Sequence, residues 1–241
     1  MSLKQSFSGF GCVLDGLRLV LRPELRHFVA IPFLINLLVF SGLVWLGLDQ
    51  FEGFMDWILP PQGWLSYLRW LLWPLFALAA VLIVFYTFTA FANLIAAPFN
   101  TLLAEKVEIL LTGRRPPQTG PLWKDVLPSV FSELRKMLYF LLRAIPLLIL
   151  FLIPGINLAA PFLWLLFNAW FLALEYGDYP MGNHGIRFGD QLLRLKTRRL
   201  ASLGFGGGVT LLMLIPLLNF LAMPAAVAGA TLFWIKSRTG S

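Results

Sequence analysis

Residues 28–48 read FVAIPFLINLLVFSGLVWLGL, 21 positions without a charged side chain. As an α-helix this stretch would be about 31 Å long, which matches a hydrocarbon core of about 30 Å. It predicts a helix that crosses a membrane once. Residues 70–104 form a second charge-free stretch of 35 residues, which is long enough for one tilted spanning helix with a bend at Pro98.

The composition of the whole chain also indicates a membrane protein. Of 241 residues, 59% are hydrophobic and 13% are charged, against roughly 25% charged in soluble domains. The net charge of +7 is concentrated beside the apolar stretches, which favours contact with lipid or an anionic substrate over nucleic acid. We predict an all-α integral membrane protein, with residues 1–241 forming one membrane domain in the lipid bilayer and no nucleic-acid partner.

Cysteine and histidine are too few for a disulfide or metal framework. Cys12 is the single cysteine, and His27 and His184 are far apart in the sequence, so we expect no disulfide, metal site or cofactor. Residues 1–27 contain acidic side chains and lack a cleavage signature, so we expect no cleaved signal peptide.

Two further apolar regions, 144–174 and 203–235, are interrupted by proline and glycine. The first uninterrupted piece of region 144–174 has about ten residues and would reach about 15 Å, half of the hydrocarbon core. We predict two partly penetrating (re-entrant) helical hairpins, which require an assembly or a cavity around them. The interruptions are Pro146, Pro154, Gly155 and Pro161 in the first region, and glycines 206–208, which should loosen the helix start, with Pro216 and Pro224 in the second.

Lysine and arginine predict the orientation, because they accumulate in cytoplasmic loops. The basic segments 1–27, 105–143 and 175–202 and the C-terminal tail are placed inside, with both termini cytoplasmic. The connection 49–69 has one cation and is placed outside. Two spans followed by two hairpins satisfy this pattern. Full out-and-back helix pairs would satisfy it too, although their helices would be very short.

Residues 5–22 predict an amphipathic interfacial helix. One face carries apolar residues at three- and four-residue spacings, and the other is polar. We expect this helix to lie on the membrane surface or against the bundle without crossing. The apolar face is Phe7, Phe10, Leu14, Leu17 and Leu21, and the polar face is Ser8, Asp15, Arg18 and Arg22.

Three segments place an asparagine a few residues before a proline: NLIAAPF at 93–99, NLAAPF at 157–162 and NFLAMPA at 219–225. Proline frees an upstream carbonyl, and an asparagine side chain can satisfy backbone groups where water is scarce. These segments are either helix kinks or breaks that line a pore. Asn93 and Pro98 in the first segment, Asn100 directly after it, and Pro154 just before the second segment are pore or gating candidates.

Arg26 and His27 stand where the first span begins. Free amides of a helix N-terminus and an adjacent guanidinium both favour an anion, and the guanidinium can bind two oxygens of a tetrahedral oxyanion. The alternative is that Arg22 and Arg26 anchor the helix end to lipid phosphates.

Four charged residues are further pore or gating candidates: Glu105, Glu108, Arg143 and Asp178. Glu105 and Glu108 share a helix face and either line a vestibule or form a solvated helix end. Arg143 is a candidate partner for one of these acids. Asp178 lies in the polar segment 175–184, EYGDYPMGNH, which we interpret as a structural loop between hairpins. No catalytic fingerprint accompanies it, so an enzyme is not expected, although a lipid-modifying enzyme or a structural membrane subunit remains the alternative.

The sequence closely resembles the CysZ family of bacterial inner-membrane sulfate transporters over roughly residues 9–234. The resemblance is carried by RHFVAIP at 26–32, ANLIAAPFN at 92–100 with LLAE at 102–105, IPG at 153–155, DYP at 178–180 with NH at 183–184, and IPLLN at 215–219. Several long matching segments in the same order are far more specific than one short motif.

The resemblance implies sulfate uptake for cysteine biosynthesis without ATP hydrolysis, in a homo-oligomer in the bacterial inner membrane. By charge and geometry, sulfite and related oxyanions are also possible substrates. The family's sulfate site, a Gly-Leu-Arg-Arg stretch, falls on Glu24, Leu25, Arg26 and His27. Glu24 adds negative charge where the family has a small neutral residue, and His27 stands for an arginine and is only partly charged near neutral pH.

Overall fold

The structure, a computed structural model, describes residues 3–58, 66–117 and 122–239. Over this part of the chain the regular secondary structure is helical, without a strand, which confirms the all-α prediction. The helices are α1 (Leu3–Val20), α2 (His27–Ile58), α3 (Ser66–Thr112), α4 (Leu122–Leu150), α5 (Ala160–Gly182), α6 (Phe188–Thr197), α7 (Arg199–Leu214) and α8 (Pro216–Thr239), with a 3₁₀ turn at Ile156–Leu158 before α5.

The chain divides into two compact units. One comprises Met1–Val29 with Asn100–Ser241, and the other comprises Ala30–Phe99. In the first unit, α1, α5, α7 and α8 pack around a core that includes Val13, Leu25, Phe205 and Val227. The second unit holds most of α2 and of α3, with Phe40 and Phe88 in edge-to-face contact at 4.9 Å between ring centroids.

Two described helices are long and apolar enough to cross a membrane. His27–Gly47 has 21 residues and a window only 6% buried, in agreement with the span predicted at 28–48. The second, Leu218–Arg238, is 50% buried and lies in the region predicted as a hairpin. Helix α3 runs without a break through Pro74 and Pro98 for 47 residues, about 70 Å. Its described apolar stretch is Trp73–Phe88, so a span over 70–104 stays a prediction.

Three of the predicted proline interruptions, Pro146, Pro161 and Pro224, do not break a helix. Pro146 and Pro224 lie inside α4 and α8, while Pro161 occupies the first turn of α5. A proline in a first turn loses no hydrogen bond, and one inside a helix sacrifices a single bond that the surrounding helix tolerates. Helices α5 and α8 therefore reach 23 and 24 residues. Pairs of helices that cross the membrane and return were expected to be very short, but α5 and α8 are long enough for a full crossing.

The helices do break at the other two predicted interruptions, Pro154 with Gly155 and Pro216. Between α4 and the 3₁₀ turn, Gly155 adopts a positive φ of 86°, a conformation that favours glycine. Between α7 and α8, Ile215 is extended, with φ −91° and ψ 109°, as expected for a residue before proline. Contacts between α4 and α5, and between α7 and α8, show two helix–turn–helix pairs.

Glycines 206–208 do not loosen α7, which continues through them. A Cβ at Gly206 would overlap the carbonyl oxygen of Ala169 in α5, and one at Gly16 would overlap that of Ala225 in α8. Small residues of this kind allow helix backbones to approach closely, the usual packing device of membrane helices. These glycines are therefore contact points in the core.

The buried face of helix α1 is neither of the two faces that the sequence predicted. The face buried against α7 and α8 consists of small and medium residues, among them Gly9, Cys12, Val13 and Gly16. On the predicted apolar face, Leu14 is 43% exposed and Leu21 is 62% exposed. Close helix contact selects small residues for the buried face, and the interfacial position of α1, with its leucines toward the membrane surface, stays a prediction.

Candidate functional site

A tight turn joins α1 to α2 and contains the predicted anion site. The carbonyl oxygen of Arg22 accepts hydrogen bonds from the amides of Leu25 and Arg26, both at 3.0 Å. The Leu25 side chain is fully buried in the core, while Glu24, Arg26 and His27 are exposed on either side of it. Leu25 thus anchors the turn and leaves three polar side chains facing outward.

The backbone of this turn is less available than predicted. The amide of Arg26 is bonded to Arg22, that of Phe28 to the Leu25 carbonyl at 3.0 Å, and that of Val29 to the Arg26 carbonyl at 3.1 Å. These amides are used within the turn and at the start of α2. Anion binding here would therefore depend mainly on the side chains of Arg26 and His27.

A second polar group, the α3–α5 cluster, lies where the C-terminal half of α3 meets the end of α5. Nε2 of His184 is 2.8 Å and 3.0 Å from the two carboxylate oxygens of the buried Glu108. Asn100 donates from Nδ2 to the Tyr179 hydroxyl at 3.4 Å, and Asn183 donates to the Thr101 carbonyl at 3.1 Å. The structure therefore brings Asn100 and Glu108, two predicted candidates, to one surface of α5.

Most of the segment predicted as a loop at 175–184 is helical. Helix α5 continues to Gly182 through Pro180, and the turn follows at residues 183–187. The sequence reasoning failed here because it counted tyrosine, glycine and proline as turn residues. In the structure, Tyr176 and Pro180 are buried and the helix is held by tertiary contacts.

Asp178 belongs to a third group, the Lys136 cluster, between α4 and α5. The ammonium of Lys136 lies 3.0 Å from Glu133, 3.1 Å from Glu175 and 3.0 Å from Asp178. Lys136 is only 5% exposed. Burial by itself would lower the pKa of Lys136, but Asp178, Glu175 and Glu133 outweigh that effect and raise it.

Gln191 of α6 completes the surroundings of Asp178. Its buried side chain donates to Oδ1 of Asp178 at 2.6 Å and to the Ile186 carbonyl at 2.7 Å. A polar cavity of about 330 Å³ adjoins this arrangement, lined among others by Glu133, Asp178, Arg187 and Gln191. Lys136 of α4 pairs with Glu175 and Asp178 of α5, and Gln191 of α6 bonds to Asp178, so the cluster connects the three helices.

The remaining candidates do not join these groups. Nε of Arg115 lies 3.9 Å from Glu105 near the end of α3. Arg143, a candidate partner for one of the acids, instead places its guanidinium 3.6 Å over the ring of Tyr139 and donates to the Tyr139 carbonyl. Pro98 and Pro154 are exposed. The side chain of Asn93 lies outside the described residues.

Sequence reasoning missed Lys136, Tyr179 and Gln191. A weak signal existed for the first, because Glu133 with Lys136 and Glu175 with Asp178 are each spaced by three residues on a helix. Nothing in the sequence pointed to Gln191. In the part of the chain that the structure describes, no group of three or more His, Cys, Asp or Glu side chains is arranged to hold a metal ion.

Comparison with known proteins places the chain in a family. The family model described as Sulfate transporter CysZ/Etoposide-induced protein 2.4 matches residues 12–224. A "Sulfate transporter CysZ" of Pseudomonas aeruginosa strain LESB58 is 47% identical over 226 residues, 92% of each chain. One of Pseudomonas fluorescens strain Pf-5 is 52% identical over 228 residues, 93% of this chain and 92% of that protein. The chain belongs to the CysZ/etoposide-induced protein 2.4 family.

Proposed function

We propose that this protein transports sulfate across the bacterial inner membrane, without ATP hydrolysis, to supply cysteine biosynthesis. One observation carries the proposal: relatives 47% to 52% identical over more than nine-tenths of the chain are named sulfate transporters. The candidate spans His27–Gly47 and Leu218–Arg238 agree with residence in a membrane. The relatives are named as transporters and not as enzymes, and we propose no catalytic activity for this chain.

The capture site in this proposal is the α1–α2 turn. Arg26 supplies a planar guanidinium that can donate two parallel hydrogen bonds to a tetrahedral oxyanion. His27 adds a donor, and a positive charge when protonated. The buried Leu25 side chain holds both at the start of the first span. Glu24 is exposed beside them, which weakens capture and assists release, as a conducting site requires.

The proposed path continues past the charged residues of α3 and α5. Glu108 is in contact with His184, and Asp178 with Lys136 and Gln191, so each carboxylate is held by a partner within the protein. Asn100 and Tyr179 add neutral hydrogen-bonding groups beside them. These residues are the proposed gating region.

We further propose that both helix pairs enter the bilayer partway. Fourteen residues separate Lys136 from Leu150 at the end of α4, about 21 Å of helix. A tip that crossed the whole core of about 30 Å would bury the Lys136 cluster in hydrocarbon, at considerable cost. Helix α7, with 16 residues, reaches only about 24 Å. Each helix pair lies between two basic segments: 105–143 and 175–202 for the first pair, and 175–202 and the C-terminal tail for the second. Both ends of each pair are therefore placed on the cytoplasmic side, which agrees with this arrangement.

Partly penetrating tips support the proposal of a homo-oligomer. The turn at 151–158 is exposed throughout, with Leu152 at 81% and Leu158 at 78%. Backbone outside a regular helix is tolerated at membrane depth only against protein or water. Further copies of the chain would supply that cover.

Sulfate uptake into liposomes that contain only this protein tests the proposed function. We expect radiolabelled sulfate to enter faster than into protein-free liposomes, and to do so without ATP. An excess of unlabelled sulfate should reduce uptake of the labelled sulfate. Sulfite should reduce it as well, because its charge is similar. Uptake equal to that of protein-free liposomes, with protein shown to be folded and inserted, would refute transport.

A further inference from the structure

The part of α2 in the second unit presents one half-buried stripe. The half-buried residues recur every three or four positions, which places them on one side of the helix. The ring contact of Phe40 with Phe88 and the 3.9 Å approach between a Cβ built at Gly47 and Val84 show that α3 covers this side. The stripe consists of Pro32, Ile35, Asn36, Val39, Leu43, Val44 and Gly47.

Asn36 is the one polar side chain in this stripe. Its amide oxygen Oδ1 is buried and has no hydrogen-bond partner. Among the described residues, one other buried side-chain nitrogen or oxygen, Nε1 of Trp234, has no hydrogen-bond partner. An unpaired buried acceptor costs about 1–3 kcal/mol, and an apolar residue in this stripe would avoid that cost.

Asn36 lies near the middle of the predicted span, where few water molecules are present to pair with its oxygen. Asn36 follows His27, the first residue of α2, by nine positions, a rise of about 14 Å. That is close to the middle of a hydrocarbon core of about 30 Å. Asparagine side chains in membrane helices usually hydrogen-bond to a neighbouring helix, but Oδ1 of Asn36 makes no such bond, which leaves it available to water or a ligand.

We propose that the α2–α3 seam admits water at Asn36 and that this residue lies on the path of the transported anion. This inference rests on the proposed transport function. When the seam is hydrated, Oδ1 accepts a hydrogen bond from water and Nδ2 donates to an oxyanion, which has acceptors only. An amide is uncharged, so it can contact the anion in the membrane without retaining it.

Cysteine accessibility tests the proposal in the full-length protein in liposomes. The buried Cys12 is first replaced by alanine to provide a background without thiols. Asn36→Cys is then compared with Leu38→Cys, which is two residues away and 73% exposed on the outer side of α2. Ser8→Cys, on the exposed polar face of α1, reports full access. Each is treated with a membrane-impermeant anionic methanethiosulfonate reagent and with a cationic one, and modification is measured by mass spectrometry.

We expect Asn36→Cys to react at least about tenfold faster than Leu38→Cys, because a thiolate needs water to form and hydrocarbon prevents it. The ratio of anionic to cationic reaction rates should be higher at Asn36→Cys than at Ser8→Cys. Reaction as slow as that of Leu38→Cys would overturn the proposal, and so would a ratio equal to or below that of Ser8→Cys. Neither result depends on sulfate transport, so failure here leaves the proposed function standing.

A matched pair of substitutions adds a transport readout. Asn36→Leu removes the amide in the seam, whereas Ser41→Leu removes a hydroxyl from the exposed side of the same helix. We expect Asn36→Leu to reduce sulfate uptake at least about tenfold while sulfate binding at equilibrium stays unchanged. Ser41→Leu should leave both within about twofold. Equal uptake by the two variants would overturn the role of Asn36.

Discussion

His184, in the turn after α5, contacts Glu108 of α3, with Nε2 at 2.8 Å and 3.0 Å from the two carboxylate oxygens. Both side chains are largely buried, and the His184 ring lies 5.5 Å from that of Trp234 in α8. Breaking this contact from one side would leave a buried carboxylate without its donor.

His184→Phe should therefore lower the free energy of unfolding by about 3 kcal/mol, although phenylalanine preserves the ring contact with Trp234. Glu108→Gln should cost less, because the amide oxygen still accepts from Nε2. The double variant His184→Phe with Glu108→Leu should recover at least half of the loss, since it leaves no unpaired group. Chemical unfolding in detergent, followed by tryptophan fluorescence, measures these differences. Equal losses for the single and double variants would contradict the pairing.

Lys136→Met should lower the free energy of unfolding by about 1–3 kcal/mol, because three partly exposed carboxylates lose their shared cation and water screens part of their repulsion. The exposed neighbour Arg135 provides the matched control: Arg135→Met removes the same charge and should change stability by less than about 0.5 kcal/mol. Unfolding of both variants at pH 7 makes the comparison.

The pH dependence follows from the raised pKa of Lys136. A raised lysine pKa contributes stability that is fully present below about pH 10.4 and is lost only as the pH rises through the folded-state value. The difference between wild type and Lys136→Met should thus be constant between pH 7 and 9. It should shrink toward about pH 4, where acid protonates the carboxylates that the variant no longer neutralises. A difference that grows in acid would contradict the cluster.

Gly206→Ala and Gly207→Ala distinguish the effect of close helix packing on stability from the effect of helix propensity. A Cβ at Gly206 would overlap the Ala169 carbonyl, whereas one at Gly207 meets nothing within 4 Å. We expect Gly206→Ala to destabilise by about 1–3 kcal/mol or more, and Gly207→Ala to be neutral or stabilising by up to about 1 kcal/mol. Thermal unfolding in detergent tests this, and equal melting temperatures would show that α5 and α7 are not in close contact.

Arg26→Ala should weaken sulfate binding at least about tenfold, the equivalent of losing one charge-assisted hydrogen bond. Arg26→Lys should retain part of the affinity, since it keeps the charge but not the paired donors. Arg18, with an 81% exposed side chain in α1, is the control, and Arg18→Ala should bind normally. Equilibrium binding of radiolabelled sulfate in detergent is the measurement. Unchanged affinity in Arg26→Ala would move the site elsewhere.

His27→Arg should bind sulfate more tightly than the wild type, because a second guanidinium beside Arg26 supplies a fixed positive charge and paired donors. His27→Ala should bind more weakly, because it removes a donor from the turn. Binding isotherms of the three proteins at pH 7 provide the test. Equal affinities for all three would exclude His27 as a ligand while leaving Arg26 in place.

Local features were predictable because their physics is local. The span at 28–48 depends only on a charge-free length that matches a bilayer, so the sequence predicts it directly. The break at Gly155 was also expected, since few residues other than glycine adopt a φ of 86°. Pro146 and Pro161 misled the prediction, because the effect of a proline depends on its position within a helix whose ends were not yet known.

The functional groupings were less predictable. Glu105 and Glu108 looked equivalent in the sequence, yet Glu108 is buried against His184, 76 residues away, while Glu105 remains near Arg115. The Arg143 side chain stacks on Tyr139 of its own helix. Which acid meets which base depends on how helices α3 to α6 pack, and no spacing within one helix contains that information.

By itself the sequence determined that the chain is helical and suited to a membrane, where the first span lies, and which family it resembles, because hydrophobic length and long ordered motifs are properties of the chain alone. Tertiary structure decided which face of α1 is buried, that α7 runs unbroken through its glycines, and that Lys136 sits among three carboxylates. Those outcomes depend on close contact between distant segments, where atomic volume and unpaired charge dominate the free energy.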